Sequence, residues 1–233
     1  RVLKSLSADP TLWQELVICN ERLVKKKLKK SRGCYMQFGA GLPSVSGFYQ
    51  GVKKFDNQLN YNMYIFDTFT GPPVENKSEN NRYSQNINND NDYNKMWDYG
   101  GHEKFKKDLI DLKVDQDYFN LVVGPISETT KDFKIPNNEP VGIVNIDLGS
   151  RSYDSVLCTL EFLKPYLENF TLIFFDDLHS HSGNPHIGAL GALNTFNNKY
   201  KDELGIVPCP TFSRRLVPPD KILVDEIYWA WVR

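Results

Sequence analysis

Short apolar runs that stop abruptly on polar residues recur along this chain, alternating with stretches in which apolar residues return every three or four positions. The runs at 34–38, 62–66, 120–123, 141–147 and 172–175 are too short for stable helices and rich in β-branched and aromatic residues. They read as strands, and those without polar alternation as strands buried on both faces. Helical spacing covers 10–28, through Leu12, Leu16, Val17, Leu23, Val24 and Leu28, and returns at 45–55, 102–112, 153–166 and 187–200. Strands alternating with helices over short connections predict an α/β fold, a mostly parallel sheet with helices on both faces. The tail after 205 is broken by Pro208, Pro210, Pro218 and Pro219. Within it, 221–224 and 227–232 predict a hairpin-like pair that completes the far edge of the sheet with one antiparallel strand.

This pattern divides the chain into an N-terminal helical segment over 1–32 and a main domain over 33–233. The stretch 75–99 is rich in Asn and Asp and cannot bury much surface, so it reads as an insertion or lid hanging over a strand's carboxyl end. A length of 233 residues with 40% hydrophobic content suffices for one large domain. A formal net charge of -1 gives no reason to expect nucleic acid as a partner. No apolar run approaches the roughly 18 residues of a transmembrane helix. The basic cluster from Lys25 to Lys30 suits a solvated helix end. Cys19, Cys34, Cys158 and Cys209 are widely spaced with no C-x-x-C, which favours reduced thiols and a cytoplasmic setting. The start at Arg1 without Met fits either a trimmed chain or one domain of a longer polypeptide, and a homodimer is a further expectation left open.

The polar residues that end the strands are the candidate chemistry. Gly39-Ala40-Gly41 follows the first strand and precedes a helix, a turn that lets backbone approach a cofactor closely. Asp67 ends the second strand, placed to accept the hydroxyl protons of a ribose, with Thr68 beside it. Gly124-Pro125 closes the third strand, and Ile126 and Ser127 lie at another rim position where an adenine ring could be held. Asp147 ends the fourth predicted strand, and Asp176 and Asp177 follow the fifth. If those two strands are neighbours, three carboxylates within about 4 to 5 Å would repel by several kcal/mol at an effective dielectric of about 20. A hard divalent cation, Mg2+ or Ca2+, would offset that. The structural alternatives are a capping role for Asp177, a turn for Asp147 and an Asx-turn for Asp67.

Four blocks together resemble the macrocin O-methyltransferase family: YMQFGAG, YIFDTFTGPP, IDLGSRSYDS and FFDDLHSHSGNPHIGALGALNTF. The likeness spans about 33–200, and the FDTF-x-G-x-P block is its most specific part. The resemblance implies a Rossmann-like, seven-stranded class I methyltransferase sheet that transfers a methyl group from S-adenosylmethionine to a sugar hydroxyl of a glycan or glycosylated natural product. It further implies Gln37, Gly39 and Gly41 beside the methionine portion of the cofactor and Asp67 on its ribose. Asp147, Asp176 and Asp177 match the family's divalent-metal ligands, with Asp147 also bordering the cofactor. Two departures stand out. Gln37 replaces the acid that usually closes the first strand, and Gly149 stands where the family has a second acid that serves as base. His179, two residues beyond Asp177, is the candidate substitute, with Asp154 as second choice. His179, His181 and His186 do not have a strong zinc spacing. A nicotinamide-linked oxidoreductase and a cofactor-binding module without turnover are the alternatives; against the first, Ser44 stands where the third glycine of G-x-G-x-x-G would fall.

Overall fold

The computed structural model describes residues 10–23, 33–59, 61–71, 98–148, 153–168, 171–176, 178, 184–208 and 228–232. The apolar runs become β1 (Cys34–Phe38), β2 (Met63–Asp67), β3 (Phe119–Val123), β4 (Val141–Ile146) and β5 (Leu172–Phe175). These five pair in parallel in the order β3-β2-β1-β4-β5. The helices between them are α1 (Pro10–Leu23), α2 (Leu42–Phe55), α3 (His102–Asp111), α4 (Ile126–Asp132), α5 (Tyr153–Leu163) and α6 (Gly188–Lys199). After β1 the chain builds outward through β2 and β3, then returns to place β4 on the other side of β1. That reversal opens a crevice between the carboxyl ends of β1 and β4, the usual ligand site of such sheets.

The far side of the sheet is closed by β6 (Ile206–Pro208) and β7 (Tyr228–Val232), extending the order to β5-β7-β6. Strand β7 runs antiparallel to both neighbours. The antiparallel strand expected at the edge therefore lies one place in, and the edge is β6. That strand is hidden in the sequence by its length of three residues and by Pro208, which an edge strand tolerates because its missing N–H faces no partner. The predicted strand at 221–224 falls outside the described residues.

Two helix limits and one whole helix differ from the periodicity. Helix α2 starts at Leu42 rather than 45, because Pro43 sits in the first turn, where a missing N–H costs nothing. Helix α5 stops at Leu163, and Lys164–Tyr166 tightens into a 3-10 turn containing Pro165. Helix α4, at seven residues, is too short to show a period, and its sequence reads only as a strand-end turn.

Two cores flank the sheet. One face packs Trp13 of α1, Val45 and Phe48 of α2 and Phe105 of α3 against Tyr35, Ile65, Ile143 and Phe174. The other packs Ile126 of α4, Val156 and Leu160 of α5 and Phe196 of α6 against Met36, Phe66, Val144 and Ile173. Among the described residues no helix is long and apolar enough to cross a membrane.

Candidate functional site

The strand ladders continue one residue past the apolar runs, and this sets the rim. Gly39 N–H donates to Phe66 O (2.9 Å), Asp147 N–H to Phe38 O (2.8 Å), Gly124 N–H to Asp67 O (2.9 Å) and Asp176 N–H to Ile146 O (3.0 Å). The backbone at Gly124, Asp67, Gly39, Asp147 and Asp176 therefore runs side by side along one edge, in strand order, with neighbouring strands about 4.8 Å apart. Asp147 and Asp176 are adjacent there and half-buried. Asp177, His179, His181 and Gly149 lie outside the described residues, and among the described residues no group of three His, Cys, Asp or Glu is placed to hold a metal.

Gly39 is wedged against β4. It has φ +83°, and a Cβ there would come within 1.7 Å of the Asp147 carbonyl oxygen, so only glycine fits. Gly41 is different. Its φ is -110°, and a Cβ would enter a space bordered by Ser44 Oγ at 2.7 Å and Asp147 Oδ2 at 3.7 Å. That space, above a bare stretch of loop backbone and beside a carboxylate, is a candidate cradle for a ligand group once the Ser44 hydroxyl turns aside.

Asp67 ties the loop to β2. Its Oδ2 accepts from Ala40 N–H (2.6 Å) and its Oδ1 from Phe69 N–H (2.6 Å), the latter closing an Asx-turn. The structural and the functional alternatives for Asp67 thus coexist, since each carboxylate oxygen keeps further lone-pair capacity. Burial pushes its carboxyl above the usual 3.8, opposed by the amides of Ala40 and Phe69 and by Thr68. The Thr68 hydroxyl donates to Gly71 O (2.5 Å) and lies 3.3 Å from Asp67 Oδ1, so it fixes the turn. The turn holds Phe69, fully buried, at φ +59°, an unusual conformation for an aromatic residue.

Gln37 is fully buried one step below this rim. Its Nε2 donates to Gly39 O (2.6 Å), and its Oε1 accepts from the Tyr35 hydroxyl (2.5 Å) and Asn145 Nδ2 (2.8 Å). Asn145 Oδ1 is buried with no hydrogen-bond partner among the described residues. A buried acceptor left unpaired costs about 1–3 kcal/mol, so this atom suits a donor brought from outside the chain. Ile126 packs its side chain into the α4–α6 core at 8% exposure, and Gly124, at φ +138°, turns the chain from β3 toward α4. Asp154 is exposed in the first turn of α5, favourably placed for the helix dipole.

Tyr99 is a site residue that pattern alone does not single out, because it ends the Asn- and Asp-rich stretch. The Thr70–Asp98 bridge and the bond from Gly101 N–H to Phe69 O (3.1 Å) hold this segment against the β2 turn. The Tyr99 ring packs edge-on to Phe105 at 4.9 Å. Burial, and after it the charges of Asp67 and Asp147, push its hydroxyl up to about 12 against a smaller opposing effect of the Leu42 backbone, so it stays protonated. An aromatic hydroxyl thus borders the crevice between the ribose-type acid and the cradle above Gly41.

Gly39, the Gly41 cradle, Asp67 and the unpaired Asn145 oxygen fit a nucleoside cofactor with a polar, donor-bearing tail. No protein-family model and no curated protein sequence matches the chain. Solved structures do. The O-methyltransferase NovP superposes with a TM-score of 0.64 at 13% identity, over 95% of this chain and 80% of that one. Calicheamicin methyltransferase CalS11 gives a TM-score of 0.55 at 19% identity, over 94% and 77%. TomG from Streptomyces achromogenes, an O-methyltransferase involved in tomaymycin synthesis and solved in complex with S-adenosylmethionine, gives 0.54 at 12% identity, over 95% and 79%. The chain shares the fold of these three enzymes.

Proposed function

We propose that this chain is an S-adenosylmethionine-dependent, divalent-metal-assisted O-methyltransferase acting on a sugar hydroxyl of a glycan or glycosylated natural product. The observation that carries the proposal is the junction at the β1–β4 crevice. There Asp67 holds the loop after β1 through the Ala40 amide, and Asp147 closes the same loop from the other side. The fold shared with three O-methyltransferases supports it. The sugar acceptor rests on the sequence blocks that resemble the macrocin family.

S-adenosylmethionine, when bound, supplies a methyl group on a sulfonium that leaves readily, so the protein's main contribution is alignment of the acceptor oxygen. The Gly39–Gly41 backbone offers close approach for the methionine portion, and Asp67 offers acceptor capacity to two ribose hydroxyls. Tyr99 would border the bound cofactor and present a protonated hydroxyl to it. Asp147, Asp176 and Asp177 would hold the cation, all oxygen donors suited to Mg2+. Such a cation lowers the pKa of a bound hydroxyl. With Gly149 in place of the family's acid, His179 is proposed to accept the acceptor proton, and Asp154 is the second candidate.

Calorimetry tests the cofactor assignment. The demethylated product S-adenosylhomocysteine should bind, and Asp67→Ala should remove the heat; full binding by that variant would overturn the assignment. Chelation should stop methyl transfer to a glycoside acceptor and Mg2+ should restore it, whereas activity indifferent to EDTA would remove the metal from the mechanism. A His179→Ala variant that kept full turnover between about pH 6 and 9 would exclude that base.

A further inference from the structure

The buried side chains beneath the rim have no assigned part in the site, yet their hydrogen bonds have a direction. The Gly39 carbonyl can only accept, so the end of Gln37 that faces it at 2.6 Å must be the amide NH2. The opposite end is then the oxygen, which receives the Tyr35 hydroxyl and the Asn145 amide from two sides. Tyr35 and Asn145 are both fully buried. Burial raises the Tyr35 hydroxyl well above its ordinary value, so it remains a donor at any working pH.

We propose that Tyr35, Gln37 and Asn145 form a neutral positioning network for the cofactor loop, in which residue 37 must be an amide because it donates and accepts at once. This rests on the cofactor reading of the crevice. The network reaches the site through one peptide. Holding the Gly39 carbonyl orients the next amide, Ala40 N–H, which is the bond to Asp67. It also presses Gly39 against Asp147, where no side chain fits. An ionised carboxylate at position 37 would accept both donors but would set oxygen against the Gly39 oxygen. A protonated one could donate there instead. The chain's departure from an acid at this place is thus matched by the neutral donors that surround it.

The test places an acid there. The titratable groups facing position 37 are Tyr35 on its own strand, Asp147 beyond Asn145 on β4, Asp67 through Ala40 on β2, and Tyr99 over the loop. Full burial and the negative charges of Asp147 and Asp67 favour the protonated form of the carboxyl introduced by Gln37→Glu, and they outweigh the Tyr35 and Asn145 donors, which favour the ionised form. Against wild type at the same pH, Gln37→Glu should raise the Kd for S-adenosylhomocysteine about tenfold at pH 8.5 and less than about threefold at pH 5.5. Gln37→Met, which keeps length and loses both functions, should raise it about tenfold at both pH values. Tyr35→Phe removes one donor and keeps the ring stacked on Phe48, and should raise Kd about two- to fivefold. Equal weakening by Gln37→Glu at both pH values, or unchanged binding by Gln37→Met or Tyr35→Phe, would overturn the proposal. Hydrogen exchange at the Ala40 amide separates it from the cofactor reading. If wild type binds no S-adenosylhomocysteine but Gln37→Met accelerates Ala40 exchange, the network stands and the cofactor assignment falls.

Discussion

Gly39 and Gly41 look alike in sequence but carry different constraints, and substitution separates them. Gly39→Ala meets a left-handed φ and a carbonyl 1.7 Å from the new Cβ, both backbone features that cannot rotate away. It should lower stability by about 3 kcal/mol or more in urea unfolding. Gly41→Ala has an ordinary φ and meets a Ser44 hydroxyl that can turn. Its stability should stay within about 1 kcal/mol of wild type. The new methyl group would enter the cradle beside Asp147, so the loss should appear in cofactor affinity by calorimetry. A stable Gly39→Ala, or a Gly41→Ala with unchanged affinity, would contradict this division between a glycine needed by the fold and one needed by the ligand.

Helix α1 supports the same site from behind. Trp13 lies edge-on to Tyr35 at 5.8 Å, to Phe48 at 5.5 Å and to Phe174 at 5.7 Å, so the helix rests on the residue that starts the buried network. Its close approach to α2 depends on Gly51, where a Cβ would lie 2.7 Å from both Pro10 O and Trp13 Cβ. Helix propensity alone predicts that Gly51→Ala gains about 1 kcal/mol. The clash with backbone should outweigh that, giving a net loss of about 1–3 kcal/mol in denaturant unfolding. A stabilised variant would mean that α1 does not pack this tightly. Elements of this kind are readable from their pattern: the strands from uninterrupted apolar runs, α1, α5 and α6 from helical spacing. The Asp67 and Asp147 positions follow from where those runs stop. Strand β6 and helix α4 are not readable, because three and seven residues carry no period. Neither is Tyr99, whose role comes from a turn that folds it back over Leu42, nor the Gln37–Asn145 pairing, which depends on strand register across 108 positions.

Because the crevice is the point where the strand order reverses, a ligand bound there would touch the ends of β1, β2 and β4 together, and its binding should tighten the whole domain. Mass action fixes the size of the effect. A ligand at 100 times its Kd that binds only the folded state stabilises by about 2.7 kcal/mol. For a chain of 233 residues, each kcal/mol moves Tm by about 2–4 °C, which predicts a rise of roughly 5–10 °C with saturating S-adenosylhomocysteine. NAD shares the ribose that Asp67 would hold, but Ser44 stands where the third glycine of the dinucleotide turn G-x-G-x-x-G would fall. NAD should leave Tm unchanged at the same concentration. A shift with NAD and none with S-adenosylhomocysteine would assign the crevice to a dinucleotide. Adding Mg2+ with S-adenosylhomocysteine should raise Tm further only while Asp147 and Asp176 are intact. Asp176→Ala should therefore keep the cofactor shift and lose the metal increment, separating the two ligands on one rim.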